Sequence, residues 1–78
     1  MNANILYKID KNGQRLSDNI SADPSNADDG NTWFESNEIE YLNLNRDDFV
    51  HFSAGDLPIN NDYIVLQILP NLILCKKI

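Results

Sequence analysis

The alternation of apolar and polar side chains predicts a β-strand near the start of the chain. Over residues 5–9, isoleucine, tyrosine and isoleucine fall on one side of an extended segment, and leucine and lysine fall on the other. The Asn12-Gly13 pair that follows is a strong turn signal because both residue types tolerate a positive φ. We therefore expect a strand, a tight turn and a brief return strand that begins at residues 15–16.

Residues 63–78 carry the clearest pattern in the chain, two β-branched and apolar runs separated by Pro70-Asn71. Proline would break a helix through this region, so we expect a C-terminal hairpin. Both of its faces are apolar, which is typical of a strand pair at the centre of a fold. Pairing across the turn gives two expected contacts, Leu66 with Cys75 and Ile68 with Ile73.

Two segments in the middle of the chain, residues 32–36 and 38–44, are also rich in strand-forming side chains. The signals change at Asn45, which is a good N-cap and is followed closely by two aspartates that favour the positive end of a helix. Leu44 and Phe49 stand at the two positions of a hydrophobic staple. We expect a short helix over residues 46–53, and the competing interpretation is a strand over 49–52.

Residues 17–31 form a polar stretch in which Ile20 is the single large apolar side chain. Pro24, Gly30 and the clustered Asp, Asn and Ser residues favour turns. We therefore expect one long loop here. Such a loop buries little, so in a small domain it is expected either to be disordered or to bind a partner.

Together these patterns predict a β-rich small single domain spanning residues 1–78, α+β at most. We expect four to five short, mostly antiparallel strands, one short helix near 46–53 and the hairpin at 63–78. A chain of 78 residues is near the lower end of what folds without disulfides or metal.

The charge is unevenly distributed along the chain. Twelve acidic and six basic residues give a net charge of −6. Between residues 16 and 75 the chain has eleven acids and one base, Arg46. This argues against direct binding to a nucleic-acid backbone, and the simplest alternative explanation is solubility. If the first and last strands are neighbours, the remaining five bases gather at one pole of a dipolar domain: Lys8, Lys11, Arg15, Lys76 and Lys77.

Residues for catalysis are scarce. His51 and Cys75 are the only imidazole and thiol, and a cysteine in so apolar a strand is expected to be buried and inert. Asp47, His51 and Ser53 can be written as a triad, but a surface hydrogen bond on the expected helix is the simpler interpretation. We expect a protein that is not an enzyme, with no catalytic residue and no cofactor.

Metal and phosphate sites lack their usual patterns. With Gly30 at the sixth position of a calcium-binding EF-hand loop, the first, third and twelfth positions fail. One Cys and one His are too few for structural zinc, and three isolated glycines make no phosphate-binding loop. We expect no metal site beyond an opportunistic cation near Asp23, Asp28 and Asp29.

Localisation follows from what the sequence lacks. A single cysteine makes no intramolecular disulfide, which favours a reducing compartment. The first residues have no basic segment followed by an apolar run, and the most apolar window, residues 63–75, is shorter than the ~20 residues of a membrane-spanning helix. We expect a cytoplasmic protein without membrane contact.

A small acidic binding protein remains as the functional expectation. The leading hypothesis is an inhibitor of the phage anti-defence type that presents acids to the basic groove of a nucleic-acid-binding protein. The Asn-rich, Ile-rich and Ala-poor composition is typical of AT-rich phage or bacterial genes. The alternatives are a structural or adaptor component of a phage particle or bacterial assembly, and a toxin-neutralising immunity protein. The expected partner-binding residues are Asp23, Asp28, Asp29, Trp33, Glu35, Glu38 and Glu40.

Overall fold

The computed structural model describes residues 4–55 and 59–78, which form one antiparallel sheet of seven strands. The strands are β1 Asn4–Ile9, β2 Ile20–Ser21, β3 Asp23–Asn26, β4 Thr32–Glu35, β5 Phe49–Ala54, β6 Ile59–Leu69 and β7 Leu72–Lys77. Two short 3-10 turns are present, η1 Asp28–Gly30 and η2 Ile39–Leu42. The expected small β-rich fold is confirmed, whereas the expectation of four to five strands with one helix is wrong.

The sheet curls into a nearly closed barrel, with the order β2-β1-β5-β6-β7-β4-β3. Its two edge strands, β2 and β3, are separated along the chain only by Ala22. The Ala22 N–H donates to the Asn4 carbonyl at 3.2 Å, which extends the pairing with β1 to the very point where pairing with β4 begins. Residues 20–26, the closing strand, therefore serve both edges of the sheet.

The barrel interior is filled by alternate side chains from the strands, as the period of two requires. Phe34 packs against Phe52 and Tyr63, with ring centroids 4.9 and 5.0 Å apart. Leu6 and Val65 are also fully buried in this cluster. Side chains alternate between the two faces of a strand, so a one-residue slip in the register would turn these buried side chains to the outside of the barrel.

A cap covers one end of the barrel. β4 and β5 are not neighbours in the sheet, so the chain between them crosses this end, and η2 places Ile39 and Leu42 in the core. The Ser36 hydroxyl accepts the Glu38 N–H at 3.0 Å, and Asn43 ends η2 with a φ of 48°. The strand expected over residues 38–44 is therefore wrong.

The helix expected over residues 46–53 is wrong, and the competing strand is correct. The Asp48 carboxylate does accept the Asn45 N–H at 2.7 Å, as in a helix cap, but it closes only one turn. Asp47 has a φ of 73°, which ends any helical course. Val50 and Phe52 then point inward in β5, since burial on the barrel interior outweighs the capping signal.

The long loop expected over residues 17–31 is also wrong. The closing strand and η1 occupy most of it, and Ile20 and Ala22 are buried. The four residues of β3 are all exposed, and their strand conformation comes from backbone pairing with β4. Pro24 is tolerated because β3 is the last strand in the sheet order.

The C-terminal hairpin is present as expected, with Pro70-Asn71 at its turn and Ile68 opposite Ile73. Cys75 lies opposite Val65 and not Leu66, because the register shifts between Val65 and Gln67. The outer face of the hairpin remains partly open to solvent, since a barrel strand is covered by the core on one side only. At the other end of the chain, β1 and the Asn12-Gly13 turn also form as expected.

Candidate functional site

The closing strand and β4 bring two carboxylates directly opposite each other. In the register of this pair Asp23 faces Glu35, and both side chains are exposed on the outside of the barrel. Like charges at directly opposed positions of an antiparallel pair are destabilising. Stability therefore does not explain this arrangement, which makes it a candidate for a function that needs negative charge.

These two acids belong to a longer segment without any base. Residues 17–45 contain no lysine, arginine or histidine. Their seven acids, which we call the acidic face, are Asp18, Asp23, Asp28, Asp29, Glu35, Glu38 and Glu40. All seven are exposed. Asp18 lies in the segment before the closing strand, and the other six lie in the closing strand, η1, β4 and the cap.

The acids of the acidic face have no basic partner in the described part of the chain. Only one lysine or arginine pairs with a carboxylate there, Lys8 with Asp48 at 3.4 Å, and His51 contacts Asp62 at 2.7 Å. Neither pair includes a residue of the acidic face. Its negative charge is therefore not neutralised locally and is directed to solvent.

A small cavity of about 240 Å³ brings three of the expected site residues together. Asp23, Glu35 and Glu38 line it, with Ser21 and Ser36 between them. The turn η1 begins beyond the opposite end of β3, at Asp28, which is roughly 16 Å along the chain from Asp23 at ~3.3 Å per residue. The acidic face is thus an extended surface and not a compact cluster.

The opportunistic cation site expected near Asp23, Asp28 and Asp29 is not formed. Asp28 and Asp29 stand at the far end of the strand from Asp23, so the three carboxylates expected to share a cation do not converge. Within residues 4–55 and 59–78, no group of three His, Cys, Asp or Glu side chains has an arrangement that could hold a metal ion.

Trp33 lies beside the acids on the outside of the barrel. Strand alternation sends Phe34 into the core, so Trp33 points outward and is only partly buried. Its neighbours across the two flanking strands are Ser25 and Leu74. The surface next to the acidic residues therefore has an apolar and aromatic centre, a composition typical of protein interfaces.

The cysteine and the histidine lie on opposite sides of the sheet. Cys75 is fully buried in the barrel interior, and burial raises the pKa of its thiol to about 12. His51 points outward from β5, where its ring nitrogens contact Asp62 and Asn60. These two side chains cannot form a Cys–His pair, and the thiolate needed for such chemistry is disfavoured.

The Asp47–His51–Ser53 arrangement is not formed either, because residues 46–53 are not a helix. His51 Nδ1 lies 2.7 Å from an Asp62 oxygen, and its Nε2 lies 3.0 Å from Asn60 Oδ1. The Ser53 hydroxyl donates to the same Asn60 oxygen at 2.9 Å. This polar ladder depends on the register of β5 and β6, and no local pattern in the sequence predicts that register.

Two further side chains extend this ladder across β1. The centroid of the Tyr7 ring lies 5.2 Å from that of the His51 ring. The Arg15 guanidinium lies over the same Tyr7 ring, 4.5 Å from its centroid. The contact of a cation with an aromatic face is attractive. The row covers the outside of β1, β5 and β6, on the side of the barrel away from β4.

The strand arrangement on which the dipole expectation depends is not formed. β1 and β7 are separated by β5 and β6 on one side of the barrel and by the closing strand and β4 on the other. Lys8 is held by Asp48, within the acidic middle of the chain. Lys76 and Lys77 lie at the end of β7, far from β1 in the sheet order.

Helices in the described ranges are single turns, and none is long and apolar enough to cross a membrane. The chain matches no protein-family model, no curated protein and no solved structure. The function is therefore argued from the side chains that the fold places on its surface.

Proposed function

We propose that this protein is a non-enzymatic inhibitor that places its acidic face in the basic groove of a nucleic-acid-binding protein. The observation that carries the proposal is the base-free segment 17–45, whose seven acids are exposed and form no ion pair with any described residue. The direct opposition of Asp23 and Glu35 adds to it, because such a pair is unfavourable until a cation binds.

The size of the molecule fits this role. Its longest extent is 31 Å. Duplex DNA carries one negative charge per ~1.7 Å, so a similar length has roughly 18 charges, of which about half face one partner. The seven acids of the acidic face are comparable in number with those roughly nine phosphates, on the condition that they all face the same partner. A groove that binds nucleic acid could therefore exchange one ligand for the other.

The partner is a protein and not a nucleic acid. A net charge of −6 repels a phosphate backbone. Trp33, Leu72 and Leu74 supply a partly buried apolar centre on the outer faces of β4 and β7, next to Glu35. Apolar area with an acidic rim supports recognition of a basic protein surface.

The test is competition. The immobilised protein is exposed to nuclease-treated bacterial lysate, and bound proteins are eluted by increasing salt and identified. We expect a nucleic-acid-binding partner that elutes as salt screens the contact. In the purified system, the protein should displace a fluorescent duplex from that partner.

Paired variants separate the acidic face from net charge. Asp23→Asn with Glu35→Gln should weaken displacement about tenfold, since two charge contacts are lost. The control is Asp10→Asn with Asp47→Asn. It removes two negative charges outside the acidic face, and asparagine can form the same turns as the aspartates that it replaces. A partner that binds no nucleic acid, or equal losses in the two variants, would contradict the proposal.

An assembly component is the second candidate. Leu69, which is 37% exposed, continues the apolar outer surface of β6 and β7 and favours this alternative. Capture that resists salt and depends on Leu69, and not on Asp23 or Glu35, would support it. The same elution experiment therefore decides between the two functions.

A further inference from the structure

A groove of about 550 Å³ separates the return segment after β1 from the cap. One wall is formed by residues 16–20 and the other by residues 38–43, with Lys8 between them. The volume is within the ~300–1,000 Å³ of typical ligand pockets. Glu38 lines both this groove and the small cavity beside Asp23, so the groove continues the acidic face.

Both walls of the groove are fixed to the barrel by hydrogen bonds. The Lys8 N–H donates to Ser17 Oγ and the Leu16 N–H donates to the Lys8 carbonyl, each at 2.8 Å. Arg15 Nε donates to the Ser17 carbonyl at 2.7 Å. On the other wall, Lys8 Nζ donates to the Asn43 carbonyl at 3.3 Å. A ligand would therefore find the groove already formed, which lowers the entropic cost of binding.

Two large apolar side chains are exposed at this groove. Leu16 is 57% exposed on one wall, and Tyr41 is 67% exposed on the other. Neither side chain belongs to the core cluster, so packing in the core does not explain the position of either one. Facing apolar side chains across a fixed groove offer a contact surface for an apolar ligand group.

The charge of the groove favours a cation. Asp18 and Glu38 line it, and neither forms an ion pair within the described ranges. Its one basic lining residue, Lys8, is already paired with Asp48. A ligand that enters between the two walls thus meets uncompensated negative charge beside an aromatic ring.

We infer that the groove binds an arginine of the partner together with an adjacent aliphatic side chain. A guanidinium can bond a carboxylate with two parallel hydrogen bonds and can also lie on the face of Tyr41. The aliphatic neighbour contacts Leu16. This inference rests on the proposed function, because it assigns the anchor by which the acidic face holds a basic protein.

The test uses the complete chain and a peptide probe, acetyl-Leu-Arg-Leu-Arg-amide. Amide chemical shifts of the ¹⁵N-labelled protein are followed as the peptide is added to millimolar concentration. We expect saturable shifts confined to residues 16–20 and 38–43. The peptide acetyl-Leu-Gln-Leu-Gln-amide should give none, because it lacks the cation. Absence of saturable shifts with the arginine peptide, or shifts spread over all acids, would overturn the inference.

Matched variants examine the two contacts separately. Tyr41→Ala and Glu38→Gln should each weaken peptide binding about fivefold or more, the loss typical of an anchor residue. Asp47→Asn, at an exposed acid outside both the groove and the acidic face, and Leu69→Ala, at an exposed apolar residue on another face, should change it less than about twofold. Equal effects of groove and control variants would also overturn the inference. If the groove variants leave duplex displacement intact while Asp23→Asn with Glu35→Gln weakens it about tenfold, the anchor is wrong and the proposed function stands.

Discussion

The barrel consists of two meanders that are built on different side-chain chemistry. The first, residues 4–35, contains β1, the closing strand and β4, and the second, residues 49–77, contains β5, β6 and β7. β3 of the first meander has no buried side chain, while β5 and β7 of the second each bury two. Both meanders are nevertheless regular antiparallel sheet. Backbone pairing is enough to hold a strand whose neighbours are already fixed, and its outer side chains are then free to serve another purpose.

This difference separates the two tasks of the molecule. The second meander supplies most of the fully buried side chains, among them Val50, Val65, Ile73 and Cys75. The first supplies most of the exposed carboxylates. We therefore expect changes in the second meander to affect the free energy of unfolding, and changes in the first to affect binding.

The largest effect on stability is expected at Ile73. Its side chain is fully buried, so Ile73→Ala should lower the free energy of unfolding by ~2–5 kcal/mol, measured by urea denaturation. Ile68 lies directly opposite but is 37% exposed, so Ile68→Ala is the matched control and should cost clearly less. Equal losses would mean that the two strands of this hairpin are buried to the same degree at this position in solution.

A second effect on stability, confined to alkaline pH, is expected at Cys75. Folding raises the pKa of its thiol from 9.0 to about 12 by burial, so the folded state disfavours the thiolate. Titration of this thiol leaves the free energy of unfolding unchanged below pH 9. Above pH 9 it should lower the free energy of unfolding, at a rate that approaches ~1.4 kcal/mol per pH unit, until about pH 12. Denaturation curves of Cys75→Ala should lack this additional alkaline loss. The same loss in the variant would assign it to other groups.

The smallest effect is expected from the opposed carboxylates of the first meander. Asp23→Asn removes the repulsion with Glu35 and should raise the free energy of unfolding by ~0.2–1 kcal/mol at low salt. Asp18→Asn changes the net charge equally without a carboxylate opposite and serves as the control. The gain should disappear in 1 M salt, where the Debye length is ~3 Å. A destabilised Asp23→Asn would contradict the comparison between the meanders.

The parts of the fold that could be predicted are those with a local signal. The alternation over residues 5–9 and the two apolar runs on either side of Pro70-Asn71 are each contained in one short segment, and the strands that they predict are present. The capping signal at Asn45 is also real, but it stabilises one turn. The residues that follow form a strand because Val50 and Phe52 are buried in the barrel, and this burial depends on strands elsewhere in the chain.

The site could be predicted only in part for the same reason. The acids and Trp33 were chosen from composition, but the opposition of Asp23 and Glu35 depends on the register of two strands that the sequence did not indicate. Asp18 and Tyr41 were missed as binding candidates, because their place at a groove follows from the crossing of the cap over the barrel. Contacts between segments that are distant in the chain leave no pattern within any single segment of the sequence.

The way the barrel closes has a consequence for how fast the protein folds. Within each meander the strands pair with near neighbours in sequence, but β1 with β5 and β4 with β7 join residues about 40 positions apart or more. All-β folds dominated by such distant pairs fold on the millisecond to second scale. Until both pairings form, each meander exposes unpaired strand edges that can associate with other chains. The linking segment 36–48 therefore sets a kinetic bottleneck, and lengthening it should slow refolding while leaving the unfolding rate nearly unchanged.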